Sequence, residues 1–170
     1  PGNRRALMAP RDRISLVDDG RFLVIFDFTP RLGVRVIDTR TGQIVSEIET
    51  PGCSLVYPTG ARGVSMLCGD GRLLTLHLDA EGQLAKRLVS EPFFNPDVDP
   101  IMPNGSDING VWYFPSYDGM VYPVDLSKEV PTFGNPWPLG DEVATDEAEA
   151  ERWMPGGPLL LMGSNPPRNE

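Results

Sequence analysis

An all-β chain built from repeated four-stranded antiparallel units is the fold class this sequence predicts, on three observations. Gly and Pro number 18 each among 170 residues, which suits short strands joined by tight turns better than helices. A pattern recurs in "GVRVIDTRTGQIVSEIE" from Gly33, "GRLLTLHLDAEGQLAKRLV" from Gly71 and "GMVYPVDLSKEVPTF" from Gly119. Each copy runs glycine, alternating strand, aspartate, polar turn and second strand, and the marker residues Asp38, Asp79 and Asp125 fall 41 and 46 residues apart. Asp-Gly and Asn-Gly pairs between the apolar runs supply the positive-φ positions of tight hairpins.

Taken in order, the first unit spans about residues 13–50. It has strands at "RISLV" (13–17) and "RFLVIFDF" (21–28), then the two strands flanking "TRTGQ". The second, about 53–91, has "CSLVYP" (53–58), the turn "TGARG", "GVSMLC" (63–68), and two strands around "DAEGQ". The third, about 98–139, is less regular: "DPIMP" (99–103) is its candidate first strand, "SDING" the turn, and "GVWYFP" (110–115) the second strand. Four strands per period of about 40 residues are the signature of a β-propeller blade. Residues 140–170 read as an acidic linker and a truncated next blade beginning at "RWMPGGPLLLM". The alternatives, a β-sandwich or one large meander, demand no such period. Three blades and the start of a fourth do not close a ring of four to eight. A partial propeller is therefore expected, as a fragment or as an open array whose unpaired edges invite association.

The charge balance limits the partners. Asp and Glu number 24 against 15 Lys and Arg, a net charge of −9, which disfavours phosphate backbones and hence nucleic acid. No apolar run approaches the length of a membrane-spanning helix, and no signal peptide is visible at Pro1.

Cys53 and Cys68 are the only cysteines. They fall nearly opposite each other across the hairpin centred on Ala61. Residues so placed have Cα atoms about 4.5–5.5 Å apart, within reach of a disulfide. A structural bridge in an oxidising compartment such as the periplasm is one reading; two buried free thiols are the other. The spacing is neither Cys-x-x-Cys nor a zinc set.

Elsewhere the residues point to a scaffold or binding surface. His77 is the single histidine, expected as a satisfied or solvent-facing strand residue. No nucleophile elbow and no glycine-loop phosphate cradle occurs. Asp18, Asp19, Asp70, Asp107 and Asp118 read as turn formers. A propeller hydrolase would use such carboxylates for a channel metal, but no spacing singles out a set. Trp112, Tyr113, Phe114, Tyr117 and Tyr122 cluster on two paired strands, either as packing between blades or as a partner-binding patch.

The stretches "GCSLVYPTGARGVSMLCGDGRLLTLHLDAEGQ" (52–83), "FFNPDVDP" (93–100), "SYDGMVYPVDLS" (116–127) and "RWMPGG" (152–157) resemble, in order, the heavy subunit of the methylamine and aromatic amine dehydrogenases. The resemblance runs from about Ile14 to Gly157. It implies a seven-bladed propeller, a periplasmic location, and an α2β2 assembly with a second heavy subunit and two light subunits. It further implies that tryptophan tryptophylquinone is carried by the light subunit, that primary amine leaves as aldehyde and ammonia, and that electrons pass to a blue copper protein. No catalytic, cofactor-binding or metal residue is carried onto this chain. Cys53 and Cys68 match the family's heavy-chain disulfide. The family's N-terminal blades have no counterpart here, and "PLLLMGSNPPRNE" after Gly157 departs from the pattern, so these 170 residues alone are expected to be inactive. A non-catalytic propeller that binds other proteins is the alternative.

Overall fold

The computed structural model describes residues 13–139. They form two compact units. The first holds the described residues through Phe93 together with Leu126–Pro131, and the second holds Phe94–Asp125 together with the residues from Thr132.

The first unit carries two four-stranded antiparallel meanders. Sheet 1 consists of β1 (Ile14–Val17), β2 (Phe22–Asp27), β3 (Gly33–Asp38) and β4 (Gln43–Glu49) in that order. Sheet 2 repeats the plan with β5 (Cys53–Thr59), β6 (Gly63–Cys68), β7 (Leu73–Leu78) and β8 (Leu84–Val89). Side-chain alternation sends Val17, Phe22, Val24, Phe26, Val34 and Val36 to one buried face of sheet 1. In sheet 2 every residue of β6 is buried. The outer strand β8, "LAKRLV", is exposed except at Leu88, and its Lys86 and Arg87 are the kind of charge that discourages edge pairing.

Sheets 1 and 2 are tied together by polar bonds at their rims. The Asp18 N–H donates to Ala61 O at 2.8 Å, and Arg62 Nε lies 3.1 Å from Asp18 Oδ1. Gln83 Nε2 donates to Val45 O at 2.6 Å, and Arg87 Nη2 to Glu49 O at 2.8 Å. Gly82 is wedged between the sheets. It has φ +81°, and a Cβ there would lie 2.7 Å from Val45 Cγ2 and 2.8 Å from Phe22 Cε1. Phe22 is fully buried, so the ring has little room to yield. Gly82→Ala is therefore expected to lower unfolding free energy by more than about 1 kcal/mol, from positive-φ strain and overpacking together. Urea denaturation checks this, and an unchanged midpoint would count against the contact.

In the second unit, sheet 3 runs β9 (Ser106–Ile108), β10 (Val111–Pro115), β11 (Met120–Asp125) and β12 (Thr132–Phe133), with β13 (Trp137–Pro138) also pairing β11. Its outer strand is split. Gly134, Asn135 and Pro136 intervene between the two short pieces, and a proline has no N–H for the ladder.

The first strand of this sheet differs from the sequence expectation. "DPIMP" contributes only an isolated bridge, Ile101 to Ser116, and the strand is Ser106–Ile108, inside the stretch read as a turn. Asn109 and Gly110, both at positive φ, form the actual hairpin turn, as an Asn-Gly pair should. Pro100 and Pro103 lie within the expected strand and deny it two donors. The expected acidic linker and truncated blade, residues 140–170, lie outside the described residues.

The described chain is thus all-β, a partial β-propeller made of successive antiparallel meanders with blade topology.

Candidate functional site

The hairpin β5–β6 carries the sequence's main candidate pair. In the structure Cys53 and Cys68 are bonded, with Cα atoms 3.9 Å apart. The close approach has a local cause. Cys53 N–H donates to Thr50 O and Cys68 N–H to Arg72 O, so the two residues exchange no ladder bonds. They form the non-hydrogen-bonded type of pair, in which side chains approach most closely. The bridge lies in the wall of a cleft of about 340 Å³ lined also by Pro51, Gly52, Leu74, Arg87 and Val89.

The pairing depends on a bulge. Thr59, Pro58 and Tyr57 face Gly63, Val64 and Ser65, but Ser54 and Cys53 face Leu67 and Cys68. Leu55 and Val56 together therefore oppose Met66 alone, the two-against-one count of a β-bulge. Leu55 has φ +64°, a conformation ordinarily left to glycine at such a site.

Toward the turn end of the same hairpin, sheet 2 holds a buried row of hydroxyls. Thr59 Oγ1 lies 2.7 Å from Ser65 Oγ, which lies 2.8 Å from Thr75 Oγ1. Each satisfies another where water is excluded. His77 follows Thr75 on the same face of β7. Its ring fills the space that Gly63 leaves by having no side chain, since a Cβ there would be 2.8 Å from Nδ1. The Nε2 atom is buried with no hydrogen-bond partner, so this is neither the satisfied nor the solvent-facing histidine expected.

The marker aspartates do local work. Asp38 accepts from Arg40 N–H at 2.8 Å, and Asp79 accepts from Glu81 and Gln83 N–H at 3.0 and 2.8 Å. Each carboxylate closes the turn after its strand. Asp70 and Asp107 likewise accept from the backbones of Arg72 and Gly110, while Asp18 pairs with Arg62. Asp19 lies with Asp18 in the β1–β2 turn, both at positive φ, beside Arg21 and Arg40 in an open polar cleft. Among the described residues no three His, Cys, Asp or Glu side chains come together as a metal-binding group.

One pair escaped the sequence reading. Asp27 is wholly buried, and Arg35 binds it in a bidentate fork, with Nη2 2.6 Å from Oδ1 and Nε on Oδ2. The hydrogen bond to Asp27 is the main reason the Arg35 guanidinium holds its proton above the ordinary arginine value. Two residues on adjacent strands, eight apart in sequence, left no motif to find.

The aromatic group divides by environment. Phe114 is fully buried and stacks on Trp112 with centroids 6.0 Å apart. Gly105 lies against the ring, where a Cβ would approach to 2.7 Å. Tyr113 and Tyr122 are half-buried, and Tyr117 is exposed in the β10–β11 turn. Burial raises the Tyr122 phenol pKa above 10.0, with Asp99 and Asp118 adding to the shift. A raised acid pKa means the fold favours the neutral phenol. Stability from this group is therefore complete below the unfolded pKa and is lost as pH climbs through the folded value. Tyr122→Phe is expected to lessen the loss of stability above about pH 10, measured as Tm against pH beside wild type. An identical alkaline slope in the variant would refute the assignment.

The family profile described as methylamine dehydrogenase heavy chain (MADH) matches residues 1–162. This chain belongs to the methylamine dehydrogenase heavy-chain family. It is 28% identical over 141 residues to the methylamine dehydrogenase heavy chain of Methylophilus methylotrophus, covering 82% of this chain and 33% of that one. It is 26% identical over 147 residues to the heavy chain of Methylobacillus flagellatus, covering 84% and 35%. It is 29% identical over 144 residues to that of Paracoccus versutus, covering 84% and 32%. The chain thus spans about a third of the length of these relatives. Among solved structures, a functionally unknown protein from Desulfotomaculum acetoxidans superposes with a TM-score of 0.55 at 12% identity, covering 74% of this chain and 41% of that one. The β-propeller domain of Cps50 (Swd1) from Myceliophteria thermophila gives a TM-score of 0.47 at 16% identity, covering 74% and 42%.

Proposed function

We propose that this chain is a section of the heavy subunit of a periplasmic, tryptophan tryptophylquinone-dependent amine dehydrogenase, serving as scaffold for the cofactor-bearing light subunit. The observation that carries the proposal is the match to the heavy-chain family over residues 1–162. In support, the described residues offer rigid strand surfaces and turns closed by their own aspartates, and both cysteines are used in one bridge. In this reading the quinone, on the partner, supplies the oxidation of a primary amine to aldehyde and ammonia, with electrons passing to a blue copper protein. This chain's residues hold and orient that partner. The assembly would be α2β2, with a second heavy subunit.

The bridge favours an oxidising compartment, and among the described residues no helix is long and apolar enough to cross a membrane. The test is co-expression in a periplasm with a light chain encoded beside this gene, followed by affinity capture through this chain. A light subunit retained with its quinone absorbance is the expected result. If the folded chain, with its bridge formed, retains no light subunit, the scaffold role fails, and a non-catalytic β-propeller protein-binding module becomes the better description.

A further inference from the structure

We infer that the β9–β10 turn is a modification site, in which Asn109 deamidates spontaneously through a cyclic imide and Asp107 sets the rate. The reaction needs an asparagine followed by a residue with an N–H and little bulk. The Gly110 nitrogen forms a bond to Asn109 Cγ, and the side-chain amide nitrogen leaves as ammonia. Water then opens the succinimide at either carbonyl. One opening gives aspartate; the other gives isoaspartate, whose main chain runs through the side-chain carbon. No oxidant or cofactor takes part.

The sequence narrows the candidates before geometry does. The described residues hold four asparagines, Asn95, Asn104, Asn109 and Asn135. Pro96 and Pro136 follow the first and the last, and a proline has no N–H to supply. Gly105 and Gly110 follow the other two, and the missing Cβ leaves the approach open in both.

Packing separates these two pairs. Asn104 is 5% exposed. Gly105 is wedged against Phe114, whose ring atoms would lie 2.7 and 2.8 Å from an added Cβ, with Tyr113 O at 3.2 Å. Phe114 is itself fully buried, so the Asn104–Gly105 peptide cannot swing toward the Asn104 side chain without displacing a packed ring. Asn109 is exposed at the tip of a two-residue hairpin turn, at φ +53° with Gly110 at +86°. Only three register pairs, Val111 to Ile108, Trp112 to Asp107 and Tyr113 to Ser106, join β9 to β10, so this turn opens locally at small cost. Asp107 restrains the reaction. Its Oδ1 accepts from Gly110 N–H at 2.8 Å, which occupies the attacking nitrogen and sets a negative charge beside the proton it must lose.

The product undoes the turn that made it. A new carboxylate stands two residues from Asp107, and isoaspartate adds a carbon to the main chain of a turn with no residue to spare. The modification is a slow, irreversible loosening of β9, the first strand of sheet 3.

Peptide mapping by tandem mass spectrometry, after incubating the 170-residue chain at mildly alkaline pH, tests this against the urea-denatured chain. Denatured, both Asn-Gly pairs are expected to convert at similar rates. Folded, Asn109 should convert at least about tenfold faster than Asn104, with isoaspartate at 109 accepting methyl groups from an isoaspartyl carboxyl methyltransferase. Asp107→Ala should speed conversion of Asn109 about threefold or more and leave Asn104 slow, which also shows that the variant is folded. Asn109→Gly, a residue the turn accepts, should keep the amide-exchange protection of β9 and β10 that wild type loses on ageing. A folded Asn109 that converts no faster than Asn104 overturns the site. An unchanged rate in Asp107→Ala overturns the part given to Asp107, and protection that survives conversion overturns the loosening of β9.

Discussion

Replacing Cys53 and Cys68 together by serine is expected to lower the stability of this protein by about 2–5 kcal/mol. The bridge closes a loop with a sequence separation of 15, and in the chain-entropy account such a link acts by restricting the unfolded chain, worth about 3 kcal/mol at this loop length. The double substitution is the right variant because a single one leaves a reactive thiol behind. Both positions are more than nine-tenths buried, so the hydroxyls add a desolvation cost, and the alanine pair separates that cost from the loss of the link. Two measurements decide the matter. Urea denaturation should show the drop in midpoint, and the same drop should appear when wild type is reduced. Thiol titration of the denatured, unreduced protein should find none; two titratable thiols would sink the assignment.

Arg35→Ala carries the other large effect, a loss of about 3–5 kcal/mol. The substitution leaves the Asp27 carboxylate buried, at 0% side-chain exposure, without its bidentate donor. A buried charge deprived of its counter-charge costs far more than the pair contributes over an apolar substitute. An exposed ion pair at the same sheet supplies the control. Arg31 and Glu49 also meet at 2.7 Å, but their side chains are 73% and 61% exposed. Arg31→Ala should therefore cost at most about 1 kcal/mol. Equal effects at the two arginines would show that burial of Asp27 is not what gives the pair its weight. Asp27→Leu combined with Arg35→Leu should recover much of the loss, since removing both charges removes the penalty.

Much of the fold was legible from residue order. Alternation placed strands of sheet 1 because a half-buried ribbon shows the period of two that follows from pleat geometry, and turn chemistry bounded the short apolar runs of sheet 2, where every residue of β6 is buried. The strand that failed, at 99–103, failed where two prolines remove ladder donors from a run of five. The candidate residues were less legible. Asp38, Asp70, Asp79 and Asp107 could be read because each acts on a backbone two to four residues away. The Asp27–Arg35 fork could not, since its partners meet only when β2 and β3 pair.

What the sequence by itself determined is the repeat, the hairpin around Ala61, the kinship with the amine dehydrogenase heavy chains, and the candidacy of two cysteines for one bridge. What only the tertiary structure decided is how those cysteines meet. The register near the turn, Thr59 to Gly63, continued without interruption, would carry Cys53 past Cys68 to Gly69. The extra residue at Leu55–Val56 shifts the pairing by one and brings the sulfurs together. No local signal announces that shift, because a leucine intrinsically avoids φ +64°. It is held there by burial between strands, a cost that only the packed sheet can offset.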